Sequence, residues 1–247
     1  MTEALLQTID LRLSFGAVVA ADGINFSLHE GERLAVIGQN GAGKTTFINI
    51  CTGLIQADSG RVKFAGHDIT GMRSRDIVHR GLARSFQLPQ LFLEHTVRDC
   101  VRLAAAGRAG RLGLWRSLAG SVPASEIEQV LEMVGLRERG DELSALLPEG
   151  QRKLLDIGMA LVLAPKLLVL DEPTSGISTD EKHGLMSTIM AALDERRITA
   201  IFVEHDVDIV TRYATRVAAW ISGRVAADGL PSKVLTDPEI RLNVLGE

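Results

Sequence analysis

The residues from Gly38 to Thr45 fit the pattern G-x-x-x-x-G-K-[ST], which can bind the phosphate groups of a nucleotide. Glycines at three places in this stretch let the backbone turn several N–H groups towards one anion. Lys44 is expected to reach the β- and γ-phosphates, and the Thr45 hydroxyl to bind Mg²⁺. The candidate nucleotide contacts are Gly38, Gln39, Asn40, Gly41, Ala42, Gly43, Lys44, Thr45 and Thr46.

A glycine-rich turn without a ligand is the alternative interpretation of this stretch. The apolar run Leu34–Ile37 predicts a buried strand before it, and Thr46–Leu54 is predicted to form a helix after it. The amino end of a helix attracts anions through its free N–H groups and its dipole. This context favours the phosphate site.

Two carboxylates follow a second apolar run. Leu167–Leu170 predicts another buried strand, and Asp171 and Glu172 stand at its carboxyl end. Asp171 is expected to hold Mg²⁺ through water, and Glu172 to orient and polarise the attacking water. Acidic residues at an exposed strand end are common, but the phosphate-binding pattern elsewhere in the chain favours a catalytic pair.

Composition limits the classes of function. With 247 residues, 46% hydrophobic and 23% charged, the chain is expected to form one core with an inserted lobe. The net charge is −4 without a long lysine or arginine run, which argues against a nucleic-acid partner. The basic stretch Arg108–Arg116 is predicted to be a solvated connection.

Neither export nor membrane insertion is indicated. Met1–Asp10 lacks the pattern of an export signal, and no uninterrupted apolar stretch reaches the length of a spanning helix. Cys51 and Cys100 lack metal-ligand spacing and are predicted to be small buried side chains, as in a reduced cytosolic protein.

Antiparallel strands are predicted in the first part of the chain, where apolar and polar side chains alternate. Gly16 and Asp22-Gly23 indicate turns, and Arg61–Phe64 predicts a further strand. Three apolar residues are predicted to share one face of each early strand: Ile9, Leu11 and Leu13, then Ile24, Phe26 and Leu28.

A helical lobe is predicted between Leu88 and Leu163. Thr96 and Ser125 each begin a sequence typical of a capping box, and Gln151–Leu163 carries an apolar stripe. Outside this lobe, strands alternate with helices, which predicts parallel strands covered on both faces. The remaining predicted elements are the helix Ser74–Arg80, the strands Ala83–Phe86 and Thr199–Val203, helices opening at Ser178 and Val207, the final strands Arg216–Ile221 and Arg224–Ala227, and a short helical tail.

In this order and spacing, the motifs resemble the ATP-binding subunit of an ABC transporter across essentially the full chain. The residues that carry the resemblance are Gly38–Thr45, Gln87, Leu147–Gln151, Leu167–Glu172 and Glu204–Asp206. The resemblance is greatest to the LivG-like group of branched-chain amino-acid importers, on Arg84–Gln87, Leu91-Phe92, Thr96-Val97, Val203–Asp206 and the tail from Asp237 to Glu247.

The resemblance implies an α/β fold of the P-loop NTPase class, with a RecA-like parallel sheet core. An N-terminal antiparallel β-subdomain and an inserted helical subdomain would complete one ABC ATPase domain. Residues 1–87 and 164–247 would form the nucleotide-binding core with the β-subdomain, and residues 88–163 the helical subdomain.

Several site roles also follow from the resemblance. Phe15 would stack on adenine, although a core aromatic is the alternative. Gln87 would contact Mg²⁺ and the attacking water. His205 would contact the γ-phosphate and hold Glu172 in register, although a structural histidine is the alternative.

The signature Leu-Ser-Gly-Gly-Gln of the superfamily, which contacts the ATP of the partner subunit, is altered here. The residues at those positions are Leu147, Pro148, Glu149, Gly150 and Gln151. Pro148 offers neither a hydroxyl nor an N–H group, and Glu149 brings a carboxylate towards a phosphate. A proline opening a helix and an acid in its first turn are also structurally ordinary. The hypothesis is a heterodimer with a second ATP-binding subunit whose signature is intact.

Two transmembrane permease subunits, and indirectly a solute-binding protein, are the other implied partners. The chain would lie at the cytoplasmic face of the cell membrane and power uptake of branched-chain or similar hydrophobic amino acids. Transport of urea, another amide or an aromatic acid is an alternative, and a soluble ABC-type ATPase in nucleic-acid metabolism is a further one. Ser178 stands where the superfamily usually has an aspartate, on the loop that passes information between the two ATP sites. It is either a helix cap or part of the coupling between those sites.

Overall fold

Two β-sheets form the centre of the molecule in a computed structural model, which describes residues 3–108 and 123–246. The strands are β1 (Leu6–Phe15), β2 (Val18–Leu28), β3 (Arg33–Gly38), β4 (Ser59–Phe64), β5 (His67–Asp68), β6 (Leu82–Ser85), β7 (Leu167–Asp171), β8 (Thr199–Val203), β9 (Arg216–Ile221) and β10 (Arg224–Gly229). The helices are α1 (Lys44–Cys51), α2 (Ser74–His79), α3 (Val97–Arg108), α4 (Ala124–Met133), α5 (Glu149–Leu161), α6 (Thr179–Arg196), α7 (Val207–Tyr213), α8 (Pro231–Val234) and α9 (Pro238–Ile240).

The larger sheet has the order β10-β9-β3-β8-β7-β6. All neighbouring strands are parallel except β10, which pairs antiparallel with β9. The carboxyl ends of β3, β7 and β8 therefore meet at one edge. The loops that follow these strands carry most of the residues predicted to do chemistry.

Both faces of this sheet are covered, as the apolar strands predict. Ile37 and Leu168 pack into a core with the helices α3 to α6, whereas Val36 and Val169 pack into a second core with the antiparallel sheet. That smaller sheet has the order β2-β1-β4-β5. The predicted fold, a parallel sheet with an antiparallel subdomain and helices inserted before β7, is confirmed.

Two expectations for the first strands are wrong. Ile9 is 37% exposed, while Leu11 and Leu13 are buried, so the three do not share a face. The cause is a bulge at Asp10, whose φ is +44°, which shifts the register and reverses the alternation. Asp22-Gly23 is also a bulge inside β2 and not a turn between strands.

Helix boundaries differ from expectation at several places. Helix α1 begins at Lys44, two residues before the predicted start, and ends at Cys51. The capping box at Ser125 is wrong, because α4 begins at Ala124 with Pro123 as its N-cap. The cap at Thr96 is confirmed, since its Oγ1 accepts the N–H of Asp99 at 3.1 Å.

Some elements were not predicted, and some predictions cannot be compared with the structure. The strand β5 and the 3₁₀ helices Arg137–Arg139 and Ser144–Leu146 have no clear signal in the sequence, whereas the predicted helical tail is present as α8, α9 and the π-helical turn Arg241–Leu245. The basic stretch Arg108–Arg116 lies outside the described residues except for Arg108, and Glu247 also lies outside them.

Cys51 and Cys100 are buried as predicted. Among the described residues, no helix is long and apolar enough to cross a membrane.

Candidate active site

The turn after β3 requires glycine at two positions. A Cβ on Gly38 would lie 2.6 Å from the carbonyl oxygen of Trp220, and one on Gly43, where φ is +99°, would overlap the carbonyl oxygen of Ala20. The turn therefore packs closely against its neighbours with left-handed backbone that other residues rarely adopt. Since α1 begins at the next residue, Lys44, the free N–H groups of its first turn lie beside this loop.

Lys44 folds back along the loop that precedes it. Its side chain is buried, and Nζ donates to the carbonyl oxygens of Gly38 at 2.5 Å and Gln39 at 3.0 Å. Burial lowers the pKa of Lys44, and the negative charges of Glu172 and Asp171 oppose that shift. The ammonium group therefore lies in the electrostatic field of both candidate carboxylates.

Several other predicted nucleotide contacts face solvent. Gln39, Asn40, Gly41 and Thr45 are exposed, and Thr46 is half-buried. Ala42 is buried and its carbonyl oxygen accepts the N–H of Gly223 at 2.9 Å. Phe15 is 51% exposed at the end of β1, so the alternative that it is a core aromatic is wrong.

The three predicted catalytic side chains meet at one carboxylate. Glu172 Oε2 accepts a hydrogen bond from Gln87 Nε2 at 2.6 Å, and Oε1 lies 3.1 Å from His205 Nε2. The backbone of Glu172 has φ of +48°, an uncommon conformation for a residue other than glycine. Such backbone strain is characteristic of functional sites, where the surrounding structure maintains it.

Arg84 is a site residue that sequence reasoning missed. Its Nη2 donates to Asp171 Oδ2 at 2.6 Å and its Nη1 to Asn49 Oδ1 at 2.5 Å. The side chains of Arg84 and Asp171 are 8% and 7% exposed, so this is a buried ion pair. The sequence signal that could have identified Arg84 is a charged side chain within a short strand that is otherwise suited to burial. Arg84 thus links Asp171 at the end of β7 to Asn49 of α1.

The donor groups at this edge suit a magnesium ion. Mg²⁺ binds oxygen ligands and usually takes one or two from protein together with phosphates and water. Thr45 offers an exposed hydroxyl, Asp171 a carboxylate and Gln87 an amide oxygen. The residues present therefore fit the ion that the sequence predicts.

Glu204 connects the loops after β7 and β8. Its buried carboxylate accepts the Thr174 N–H at 3.1 Å, the Thr174 hydroxyl at 2.7 Å and the His205 N–H at 3.2 Å. These bonds fix the backbone of His205 relative to the loop that contains Glu172. The His205 ring, by contrast, is held through its contact with Glu172.

The altered signature stands at the start of α5. Pro148 is the N-cap and Glu149 the first helical residue, so the helix begins two residues before the predicted start at Gln151. Pro148 and Glu149 are exposed, and Gly150 and Gln151 are half-buried, with Gln151 Oε1 accepting from Arg139. Ser178 is the N-cap residue of α6, and its hydroxyl donates to Glu181 at 2.8 Å.

Asp156 lies behind the loop that carries Gln87 and supports a prediction on stability. Burial raises its pKa to about 6 from an ordinary value of 3.8, although its hydrogen bonds from Phe86 and Gln90 oppose that rise. A raised pKa in the folded chain stabilises it below the unfolded-state pKa, and this contribution is lost as the pH rises through the folded-state value. Between pH 5 and 7 the chain should lose about 1 kcal/mol of unfolding free energy relative to Asp156→Asn, which urea titrations can measure. Parallel pH profiles for the two proteins would contradict the assignment.

Comparisons with known proteins identify the family to which the chain is similar. The sequence model of the ABC transporter family matches residues 21–175. The probable branched-chain amino acid transport ATP-binding protein LivG of Methanocaldococcus jannaschii is 33% identical, covering 100% of this chain and 99% of the relative. The high-affinity branched-chain amino acid transport ATP-binding protein BraF of Pseudomonas aeruginosa is 30% identical, with 100% of each chain covered.

A solved structure extends the similarity to three dimensions. The ADP conformation of an ATP-binding cassette of an ABC transporter matches with a TM-score of 0.84 and 33% identity over 100% of both chains. Sequence and fold are therefore similar to those of ATP-binding cassettes over the whole length of the chain. The chain belongs to the ABC transporter family, as one of its ATP-binding, ATP-hydrolysing cassettes.

Proposed function

We propose that this chain powers an importer for branched-chain or similar hydrophobic amino acids. ATP hydrolysis is supported by the contacts of Glu172 with Gln87 and His205, beside the loop that ends in Lys44. The class of transported substrate is supported by the full-length similarity to proteins named LivG and BraF. Residues 1–87 and 164–247 form the nucleotide-binding part of the proposed domain, and residues 88–163 its helical part.

Each side chain has a distinct role in hydrolysis. The amides from Gly38 to Thr46 and the Lys44 ammonium bind the triphosphate, and Phe15 stacks on adenine. Glu172 orients and polarises the attacking water, while His205 holds the carboxylate and contacts the γ-phosphate. Thr45, Gln87 and Asp171 would hold Mg²⁺, which would supply positive charge to neutralise the phosphates.

The loop after Gln87 supports contact with a membrane subunit. Phe86, Leu88, Phe92 and Leu93 are exposed apolar side chains in and just beyond the segment that contains Gln87. Clustered apolar groups on a surface are typical of protein interfaces. In the proposed complex this surface contacts one of two permease subunits at the cytoplasmic face of the membrane. A solute-binding protein would deliver cargo to the other side.

The altered signature supports pairing with a different ATP-binding subunit. Pro148 and Glu149 are exposed at the start of α5, where the signature would face the ATP of a partner. A missing charge-assisted hydrogen bond costs about 1.5–3 kcal/mol. In a homodimer both ATP sites would lack this hydrogen bond. A partner with Leu-Ser-Gly-Gly-Gln would instead complete the ATP site formed by the phosphate-binding loop of this chain.

Coexpression with such a partner is expected to raise ATP turnover per chain by roughly tenfold or more over that of this chain alone. The comparison measures phosphate release from the purified proteins at equal chain concentration. A partner whose signature serine is replaced should lose the increase. Equal turnover with and without the partner would remove the heterodimer, and failure of reconstituted vesicles to take up leucine would remove the proposed cargo.

A further inference from the structure

Helix α5 carries three ionisable residues on one face. Glu149, Lys153 and Asp156 are spaced four and then three residues apart, which places them on the same side of a helix. Lys153 is 4% exposed and Asp156 is 7% exposed. Charged side chains are rarely buried to this degree unless they have specific partners. We call these three residues the charged face of α5.

Lys153 contacts the backbone of the catalytic residue. Its Nζ donates to the carbonyl oxygen of Glu172 at 3.0 Å. This is the residue whose backbone has the left-handed φ of +48°. Burial lowers the pKa of Lys153, whereas the charges of Glu149, Glu204, Glu172 and Asp156 raise it. The lysine is thus positioned to stabilise a backbone conformation that is uncommon for a residue other than glycine.

Asp156 contacts the loop that carries Gln87. Its Oδ2 accepts the backbone N–H of Phe86 at 3.1 Å, and its Oδ1 accepts that of Gln90 at 3.4 Å. The two bonds lie on either side of Gln87 in the sequence. Because the loop is attached at both points, the direction of the Gln87 side chain depends on the position of α5.

Glu149 brings the start of α5 against a third loop. A Cβ placed on Gly176, where φ is +76°, would overlap Glu149 Oε1. The carboxylate therefore lies over the loop that follows Glu172 and precedes α6. The Glu149 carboxylate thus packs against another loop of the same chain, and the positive charge of the nearby Lys153 offsets its negative charge.

We propose that Lys153 and Asp156 are positioning residues for ATP hydrolysis, which from one face of α5 hold the Glu172 backbone and the Gln87 loop in register. The proposal rests on the proposed function, since that assigns the chemistry to Glu172 and Gln87. These roles require no contact between the nucleotide and either Lys153 or Asp156. Any shift of α5, whose first turn is the signature, displaces Glu172 and Gln87 together.

A purely structural role for the buried charges predicts a different pattern of effects. Loss of a buried ion partner would lower stability and weaken all functions together. Loss of positioning would lower kcat while ATP binding, which depends on the Lys44 loop, stays intact. A displacement of about 1 Å can slow a reaction by about 100-fold.

The decisive test compares Lys153→Met, Lys153→Arg and Lys153→Gln in the full chain assembled with its partner subunit. In Lys153→Met, kcat should fall roughly 10- to 100-fold while the Kd for ATP changes less than about threefold. Arginine and glutamine keep an N–H donor and should restore much of kcat. Lys233→Met, in an exposed position of α8, is the matched control and should match the unchanged protein.

Hydrogen exchange supplies a measurement that does not depend on turnover. Exchange in the peptide containing residues 171–176 should quicken in Lys153→Met, and exchange at residues 86–90 should quicken in Asp156→Ala. Exchange in β8 should stay slow in both variants.

Three results would overturn the positioning role. They are full kcat in folded Lys153→Met, unchanged exchange in the two peptides, or loss of kcat in proportion to ATP binding and stability without rescue by arginine. Failure of the proposed function gives a separate result, because the assembly with unchanged Lys153 would then hydrolyse no ATP.

Discussion

Replacing Glu172 with glutamine is expected to leave ATP binding intact and to slow hydrolysis by about 10²- to 10⁴-fold. Glutamine has the shape of the carboxylate, so it still fits between Gln87 and His205, which lie 2.6 Å and 3.1 Å from the two carboxylate oxygens. A neutral amide, however, cannot polarise the attacking water as a carboxylate does. Single-turnover hydrolysis of radiolabelled ATP, together with equilibrium binding, separates the two effects.

The control for this variant is Glu239→Gln, which changes an exposed carboxylate in α9. It should hydrolyse ATP as the unchanged chain does. Unchanged turnover in Glu172→Gln would remove Glu172 as the catalytic carboxylate. A combined loss of binding and hydrolysis would instead assign it a role in binding nucleotide.

Replacing Lys44 with alanine is expected to weaken nucleotide binding itself. The Lys44 ammonium lies within 3.0 Å of the carbonyl oxygens of Gly38 and Gln39, in the loop that we propose binds the β- and γ-phosphates. Loss of a charge-assisted hydrogen bond costs about 1.5–3 kcal/mol, which corresponds to roughly a 10- to 150-fold rise in Kd. Isothermal titration with ATP in the presence of magnesium measures this directly.

The matched control for Lys44→Ala is Lys233→Ala, in an exposed position of α8. Because Lys44 is buried, urea unfolding of the variant should accompany the titration and show that the chain is folded. Equal affinity for ATP in the folded variant and the control would show that Lys44 does not contact the phosphates.

The sequence predicts the centre of the fold because each buried strand has a local signal. The runs before Gly38 and before Asp171 are apolar throughout, and the structure places both in the parallel sheet. The candidate residues could be predicted for the same reason. A carboxylate directly after a buried parallel strand must emerge at the edge where neighbouring strands also end.

Contacts between distant segments could not be predicted in this way. The bond between Arg84 and Asp171 joins residues 87 positions apart, and its existence depends on β6 lying beside β7. Lys153 likewise gave no signal, because its partner is a backbone carbonyl in another loop. Neither partnership follows from residue type.

Small backbone irregularities account for the errors near the start of the chain. The bulge at Asp10 reverses the inward and outward alternation of β1, which a regular period of two cannot anticipate. Ile9 therefore faces solvent although its neighbours in the pattern are buried. The first strand could be located from the sequence, but not its register.

The central claim is that one pocket binds a nucleoside triphosphate and presents a carboxylate to it. A crystal structure of this chain with magnesium and a non-hydrolysable ATP analogue tests that claim most directly. We expect the triphosphate on the backbone amides between Gly38 and Thr45, with Lys44 in hydrogen-bond distance and Asp171 and Glu172 beside the γ-phosphate. An analogue bound elsewhere, or a γ-phosphate remote from both carboxylates, would contradict the account.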